Sequence, residues 1–244
     1  MSNLLAIDTP VVLEGVRKQF AGRTVLDVSR FVIAPSCCTF LAGDNGAGKT
    51  TLLRIAAGLD APDQAAVTID GCCRDWAAAQ KQLQGNVIYF HQVPYLFDST
   101  VADNIAYGLR FAMRSRAAIR QRVDAALDWA GLGHLAERNA RQLSGGERQR
   151  VALVRAWVLA PRVLLLDEPL SAIDAHARAQ TVDLIRRLKH DGAGLVITGH
   201  QAEALMPVVD ERLHLQHGEL SQADTTHAAG SRHQRGAPPL VLVN

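Results

Sequence analysis

A glycine-rich turn early in the chain restricts the possible folds more than any other feature of the sequence. The segment Gly43-Asp44-Asn45-Gly46-Ala47-Gly48-Lys49-Thr50 follows a short apolar run, Thr39 to Ala42, and precedes a helix-like stretch, Thr51 to Leu59. It matches the phosphate-loop pattern at every fixed position and in its strand–loop–helix context. Glycines let successive N–H groups curl around phosphate oxygens, and the helix N-terminus adds a favourable dipole. We therefore expect Lys49 to reach terminal phosphates and the Thr50 hydroxyl to complete the shell of a magnesium ion.

The alternative interpretation of this segment is an ordinary glycine-rich turn that carries an incidental lysine. The register of strand, loop and helix disfavours that alternative. Asp44 is unusual within the loop, because a carboxylate repels phosphate. We expect its side chain to point away from a bound nucleotide.

A second acidic site follows another apolar run. Val163 to Leu166 predicts a buried strand, and Asp167 and Glu168 come directly after it. Neighbouring side chains on a strand point to opposite sides, so the two acids are expected to have different roles. Asp167 is placed to support the magnesium ion, and Glu168 to orient and polarise an attacking water. Alone, such a strand end is common, and a helix N-cap before Pro169 is the alternative; the phosphate loop favours the hydrolytic interpretation.

The order of strands and helices predicts an α/β protein. The first quarter of the chain is rich in strand and turn signals, whereas the stretch from about Ser99 to Leu159 contains no convincing strand. The apolar runs at Val163 to Leu166 and Leu195 to Thr198 flank a helical segment near Ala175 to Lys189. Continuous apolar strands separated by helices are typical of a parallel sheet covered on both faces. The expected architecture is an α/β core with a helical insert.

Composition restricts the possible partners and location of the chain. The formal net charge is only +2 over 244 residues, too weak to indicate nucleic acid or an anionic membrane surface as a partner. The sequence lacks the run of about 18 apolar residues that a membrane-spanning helix needs, and it lacks signal-peptide features at the N-terminus. We expect a cytoplasmic protein, so that any pore must come from another chain.

The cysteines form two adjacent pairs, Cys37-Cys38 and Cys72-Cys73. Neither pair has the two-residue gap of a zinc knuckle, and no histidine cluster accompanies them. Metal binding stays open as the less favoured alternative. We expect buried free thiols in strands.

The segment Leu143-Ser144-Gly145-Gly146-Glu147 predicts a second anion site. Ser144 is suited to cap a helix, and the following glycines leave N–H groups free at its positive end. Taken with the other motifs, in this order, the chain resembles the nucleotide-binding domains of ABC proteins over roughly residues 10 to 220. The resemblance implies an ABC-ATPase fold: an N-terminal antiparallel β-subdomain, a RecA-like parallel-sheet core and an inserted α-helical subdomain at about 93–158. A single domain over 1–220 is expected, with a short, loosely packed tail over 221–244.

The resemblance also implies a role for individual residues. Ser144 and Gly146 would contact the terminal phosphate of ATP bound to a second copy, so that a homodimer encloses two ATP molecules. Phe20 would stack on adenine, Gln92 would sense magnesium and water, and His200 would hold the terminal phosphate. Asp174 lies in the loop that crosses the dimer interface, where Ile173 replaces the usual leucine. The residues assigned to ATP are Phe20, Gly43, Asn45, Gly46, Ala47, Gly48, Lys49, Thr50, Thr51, Ser144, Gly145, Gly146 and Asp174; those assigned to catalysis are Gln92, Glu168 and His200; those assigned to Mg²⁺ are Thr50, Gln92 and Asp167.

Three functional classes fit an ABC cassette: the energy subunit of a transporter, an ABC ATPase acting on DNA or ribosomes, and a module that holds ATP without hydrolysing it. The second class carries coiled-coil, zinc or fused-cassette features that this sequence lacks, and the third would need Glu168 or His200 replaced. Transport is favoured, with the subunit bound peripherally to the inner face of the membrane. Segments Tyr95 to Phe97 and Val101 to Tyr107 resemble a surface that meets a permease, although ordinary core packing is the alternative for each residue.

Cargo is weakly determined by the sequence. The lack of a fused membrane domain favours an importer, which implies permease subunits and, indirectly, a solute-binding protein. The short C-terminus leaves no room for the regulatory β-domain of many sugar and molybdate importers, and the segment Ser99 to Leu109 resembles the tungstate, phosphate and amino-acid branches. An oxyanion such as tungstate is the favoured cargo.

Overall fold

The structure, a computed structural model, describes residues 9–199 and 202–222. In chain order, the strands are β1 (Val11–Phe20), β2 (Arg23–Ile33), β3 (Cys38–Ala42), β4 (Gln64–Ile69), β5 (Cys72–Asp75), β6 (Val87–Phe90), β7 (Val163–Leu166), β8 (Gly194–Thr198), β9 (Glu211–Gln216) and β10 (Glu219–Gln222). The helices are α1 (Lys49–Ala56), α2 (Trp76–Asn86), α3 (Val101–Ala112), α4 (Arg116–Ala130), α5 (Gly145–Trp157), α6 (Ala175–His190) and α7 (Ala202–Leu205). Among these helices, none is both long enough and apolar enough to cross a bilayer.

The strands form two sheets. The first is antiparallel, in the order β2-β1-β4-β5. The second has the order β10-β9-β3-β8-β7-β6, and all its pairs are parallel except that between β9 and β10. The prediction of an α/β fold with an antiparallel N-terminal part and a parallel core is confirmed.

Burial explains why the central strands are apolar without alternation. Every residue of β7 and β8 is buried, since helices cover both faces of the parallel sheet. The helices α3, α4 and α5 lie between β6 and β7, where the sequence predicted a helical insert, and they share one apolar cluster with β7 and β8. The carboxyl ends of β3, β6, β7 and β8 therefore meet at one edge of the sheet, where open α/β sheets bind their ligands.

The hairpin of β9 and β10 closes the described chain. Gln222 pairs with Leu213, so the first two residues of the expected tail belong to β10. The rest of that tail, 223–244, and His200 lie outside the described residues.

The prediction for the cysteines is only partly correct. Cys38 lies in β3 and is buried, which raises the pKa of its thiol to about 12, whereas Cys37 precedes the strand and is half-buried. Cys72 and Cys73 are exposed, so the expectation of burial was wrong for this pair. The reason is that β5 is the edge strand of the antiparallel sheet and all four of its residues are exposed.

Candidate functional site

The phosphate loop connects β3 to α1 and leaves the helix N-terminus open. Gly48 caps α1 with φ 103°, and within the part of the chain that the structure describes no side chain caps the helix by a hydrogen bond. A Cβ at Gly48 would lie 2.9 Å from Leu26 Cδ2, so only glycine fits between the loop and β2. The uncapped amides of the first turn are therefore free to bind an anion.

Lys49 is folded over this loop. Its Nζ donates hydrogen bonds to the carbonyl oxygens of Gly43, at 2.7 Å, and Asp44, at 3.0 Å. The residue is only 9% exposed, which limits the alternative positions of its side chain. A phosphate that enters the loop would meet an ammonium group that is already in place.

Asp167, directly after β7, is the centre of a cluster of hydroxyl groups. Its Oδ2 accepts hydrogen bonds from Thr50 Oγ1 at 2.8 Å and from the Tyr89 hydroxyl at 2.7 Å, while its Oδ1 accepts one from Thr198 Oγ1 at 2.5 Å. Burial and the neighbouring Asp167 raise the pKa of Tyr89, so the phenol stays protonated as a donor. The carboxylate is thereby fixed beside the phosphate loop.

The oxygen atoms of Thr50 and Asp167 suit a magnesium ion. Mg²⁺ prefers hard oxygen ligands, and these two side chains, predicted to share the ion, are 2.8 Å apart. Gln92, the third predicted ligand, instead donates from Nε2 to Glu168 Oε2 at 2.7 Å. In that bond Gln92 uses its amide nitrogen and not its oxygen. The two side chains whose oxygens fit the predicted ion are therefore those of Thr50 and Asp167.

The Glu168 carboxylate accepts a hydrogen bond from Gln92, whereas the Asp167 carboxylate accepts from three hydroxyl groups, in keeping with the alternation expected after a strand. The N–H of Glu168 donates to Thr198 Oγ1 at 3.1 Å, and the Glu168 backbone adopts φ 48°. A left-handed conformation at a non-glycine residue costs roughly 1–2 kcal/mol, and such strain is concentrated at functional sites. A cavity of about 200 Å³ lies beside Glu168, with Ser171 and Gly199 also in its lining, and has room for water.

Two residues of this arrangement, Tyr89 and Thr198, were missed by the sequence analysis. Both lie in strands that neighbour β7, and Thr198 bridges the two acids by accepting from the Glu168 amide and donating to Asp167. The available signal was a hydroxyl residue in each of two otherwise apolar strands. Only the strand order shows that these hydroxyls reach Asp167.

The predicted second anion site lies at the start of α5. Ser144 caps the helix: its Oγ accepts from the Glu147 amide at 3.2 Å, and its own amide donates to Glu147 Oε2 at 2.8 Å. That backbone bond lowers the pKa of Glu147. Ser144 and Gly145 are exposed, and a Cβ at Gly145 would find its nearest atom, Ala172 O, at 3.8 Å.

The next glycine is in a different environment. Gly146 is buried, and a Cβ there would lie 2.2 Å from Cβ of Ala177 in α6. Asp174 caps α6 by accepting from the Ala177 amide at 2.8 Å, which lowers the pKa of Asp174. Close packing at Gly146 therefore fixes the second anion site against the loop that carries Asp174.

Phe20 ends β1, in the antiparallel sheet, whereas the two acids follow β7 in the other sheet. Phe20 begins the hairpin turn to β2 and is 52% exposed. An exposed aromatic ring at a hairpin tip offers a face for stacking. The structure thus leaves the ring accessible, as its predicted role requires.

The architecture is that of the P-loop NTPases, with the loop and the acidic strand end at one edge of a parallel sheet. A family model described as ABC transporter matches residues 26–171. The chain is 40% identical to the sulfate/thiosulfate import ATP-binding protein CysA of Mycobacterium tuberculosis over 215 residues. The matched region covers 87% of this chain and 60% of that protein. It is 38% identical over 217 residues to the Fe(3+) ions import ATP-binding protein FbpC of Vibrio cholerae, with coverage of 88% and 61%.

A solved structure agrees with these relatives. CbiO1 from Clostridium perfringens, described as part of the ABC transporter complex cbiONQ, superposes with a TM-score of 0.78 at 25% identity, over 86% of both chains. This chain belongs to the ABC transporter family, and its fold is the ABC-ATPase fold. It spans about three fifths of the length of the curated relatives that it matches.

Proposed function

We propose that the protein is the ATP-binding and ATP-hydrolysing subunit of an importer, acting as a homodimer on a separate permease. The observation that carries this proposal is the hydrogen bond between Thr50 and Asp167, which joins the phosphate loop to the acidic end of β7. This bond supports the proposal because it brings the phosphate loop next to Asp167, the residue proposed to bind Mg²⁺ with Thr50, and Glu168 is the next residue in the chain. The similarity to ATP-binding subunits named for sulfate and iron import supports the transport role.

Binding begins at the phosphate loop. The free amides of α1 and the Lys49 ammonium hold the phosphates, while Thr50 and Asp167 would hold Mg²⁺. When bound, the ion neutralises charge on the phosphate oxygens. Tyr89 and Thr198 keep the Asp167 carboxylate in one orientation, so that it does not have to reorganise when nucleotide arrives.

Hydrolysis is assigned to Glu168. Gln92 and the backbone bond to Thr198 orient its carboxylate, which accepts the proton of a water as that water attacks the terminal phosphorus. The bond between that phosphorus and the bridging oxygen breaks, and ADP and inorganic phosphate are released. We also assign His200 to the terminal phosphate, on the resemblance alone.

A second copy of the chain supplies the remaining contacts in this proposal. Ser144 and Gly145 are exposed at the N-terminus of α5, the positive end of the helix, where the capping box uses the amides of Ser144 and Glu147 and not those of Gly145 and Gly146. In a head-to-tail dimer with two-fold symmetry, each such terminus would cover the nucleotide on the opposite phosphate loop. ATP then holds the two copies together until its terminal phosphate is released.

Mixing two inactive variants tests the shared site. Lys49→Ala disables the phosphate loop, and Gly145→Glu disables the second anion site by repulsion, while its Cβ fits at ordinary contact distance from Ala172 O. A mixed dimer contains one intact site, so an equimolar mixture is expected to recover about a quarter of the wild-type hydrolysis rate if the sites are independent. Phosphate release is measured for each variant alone and for the mixture. No recovery in a mixture whose dimers have exchanged would contradict a site built from two copies.

The permease surface is proposed at an exposed row of aromatic rings. Each ring contacts the next in the order Tyr95, Phe97, Tyr107 and Phe111, with centroid distances of 5.7, 4.4 and 5.4 Å; the first and last contacts are edge-to-face and the middle one is tilted. Tyr95 is 72% exposed and Phe111 79%. Arg155 stiffens the row by donating from Nη2 to the Tyr95 carbonyl at 2.7 Å. Such a row, close in sequence to Gln92, is suited to bind an apolar segment of a membrane subunit.

Charge introduced into this row is expected to abolish assembly. Tyr95→Asp or Phe111→Asp should prevent the tagged chain from copurifying with an integral-membrane subunit from detergent-solubilised membranes of the source cells. Basal ATP hydrolysis by the isolated chain should be unchanged, because both rings are exposed and neither residue is assigned to ATP, Mg²⁺ or catalysis. Leu59→Asp is the matched control, since Leu59 is an exposed apolar residue outside the row. Copurification that survives both ring substitutions would place the permease elsewhere.

We propose an oxyanion as the cargo and the inner face of the membrane as the location. Sulfate and thiosulfate, named for one group of relatives, are oxyanions, as is tungstate; Fe(3+), named for another group, is not. The permease and a solute-binding protein select the cargo in this class of importer. Transport assays on the products of neighbouring genes would test the proposal, and uptake of ferric ion instead would overturn it.

A further inference from the structure

A lysine lies over the aromatic ring that is assigned to the nucleotide base. The Nζ of Lys18 is 5.2 Å from the centroid of the Phe20 ring. The Lys18 side chain is only 18% exposed, whereas Phe20 is 52% exposed. A cation over one face of a ring attracts the ring and restricts its orientation. A stacking ligand would therefore use the opposite face.

The ammonium group is itself held in place. It donates to the carbonyl of Ala61 at 2.8 Å and lies 3.5 Å from Oδ1 of Asp63. Asp63 makes two more contacts with β1, accepting from the Gln19 amide at 2.6 Å and donating its own amide to Arg17 O at 2.8 Å. The end of β1 is thus fastened to the turn over residues 61–63.

The segment that leads to this turn is also bonded to α1, the helix that follows the phosphate loop. Arg54, in α1, donates from Nε and Nη2 to the two carboxylate oxygens of Asp60, at 2.6 and 2.7 Å. A bidentate arginine–carboxylate pair is geometrically specific. A continuous set of contacts therefore runs from α1 through Asp60 and Lys18 to the ring.

We propose that Lys18 is a positioning residue that sets the place of the Phe20 ring relative to the phosphate loop, so that the base of a bound nucleotide stacks on the free face of the ring. Lys18 acts through the ring and does not touch the nucleotide. This inference rests on the proposed function, because it assumes that the phosphate loop and Phe20 bind one nucleotide.

Binding of ADP and of pyrophosphate distinguishes the proposed base site at Phe20 from the phosphate loop. ADP carries the base and pyrophosphate does not, and neither requires the catalytic glutamate. Lys18→Met keeps the aliphatic stem and removes the ammonium, and we expect it to raise the Kd of ADP about threefold. The Kd of pyrophosphate should be unchanged, which also shows that the variant is folded. Both constants are measured by titration calorimetry.

Whether Lys18 acts through the Phe20 ring is tested in a variant that lacks the ring. Phe20→Ala is expected to raise the Kd of ADP about tenfold. Adding Lys18→Met to Phe20→Ala should then change nothing, because the residue that Lys18 positions is gone. Lys81→Met, at an exposed lysine of α2, is the matched control and should leave both constants at wild-type values.

Each other outcome has a definite meaning. An unchanged Kd for ADP in Lys18→Met, or a rise that persists in the Phe20→Ala background, overturns the positioning role. A parallel loss of pyrophosphate binding also overturns it, since Lys18 would then act on the loop or on the fold. Failure of the wild-type chain to bind either ligand instead rejects the proposed nucleotide site itself.

Discussion

Glu168→Gln is expected to lower the rate of ATP hydrolysis by about 10²- to 10⁴-fold, because the amide cannot accept the proton of the attacking water. Gln keeps the size of the side chain. It also keeps an oxygen that can accept the hydrogen bond from Gln92 Nε2, which is 2.7 Å from Glu168 Oε2 in the wild-type structure. ATP binding should therefore survive. Phosphate release under saturating ATP and Mg²⁺ measures the effect.

The same variant is expected to trap the dimer. If ATP joins two copies and its hydrolysis separates them, Glu168→Gln should elute as a dimer on size-exclusion chromatography only when ATP is present. Glu137→Gln, at an exposed glutamate, is the control and should hydrolyse ATP at the wild-type rate. An undiminished rate in Glu168→Gln would remove this residue from the catalytic role. A slow variant that stays monomeric in ATP would contradict the dimer.

Lys49→Ala is expected to raise the Kd for ATP by roughly 10- to 100-fold, in line with the loss of charge-assisted hydrogen bonds. Among residues 9–199 and 202–222, the ammonium donates hydrogen bonds only to the carbonyls of Gly43 and Asp44, so it is available to phosphate at little cost to the fold. Equilibrium titration with ATP measures the change, and Lys81→Ala provides the control. Tight ATP binding by Lys49→Ala would show that the loop does not depend on this charge.

The sequence predicted the strands and the helix next to the phosphate loop and the two acids, because the signals for these elements are local. A phosphate loop between a strand and a helix, and two acids after an apolar strand, each depend on residues that are adjacent in the chain. Ser144 as a helix cap is likewise a local property, and the capping box with Glu147 is present.

Elements without a clear apolar pattern were predicted incompletely: the sequence analysis expected Cys72 and Cys73 in a strand but buried, and it gave no helix at Trp76–Asn86. β5 consists of Cys72, Cys73, Arg74 and Asp75, all exposed, so no alternation marks it as a strand. α2 follows it, and only Trp76, Ala79 and Leu83 of its residues are buried. Both elements depend on pairing with β4 and packing against it, which the local sequence does not specify.

By itself, the sequence determined the fold class, the phosphate loop, the two acids and the helix cap, since periodicity and short motifs carry that information. Only the tertiary structure decided which distant groups meet. The hydroxyls of Tyr89 and Thr198 reach Asp167 because β6 and β8 flank β7. Lys18 lies over Phe20 because the turn after α1 holds its ammonium. Hydrogen bonds between residues far apart in the chain depend on strand order and packing, and no local pattern records either.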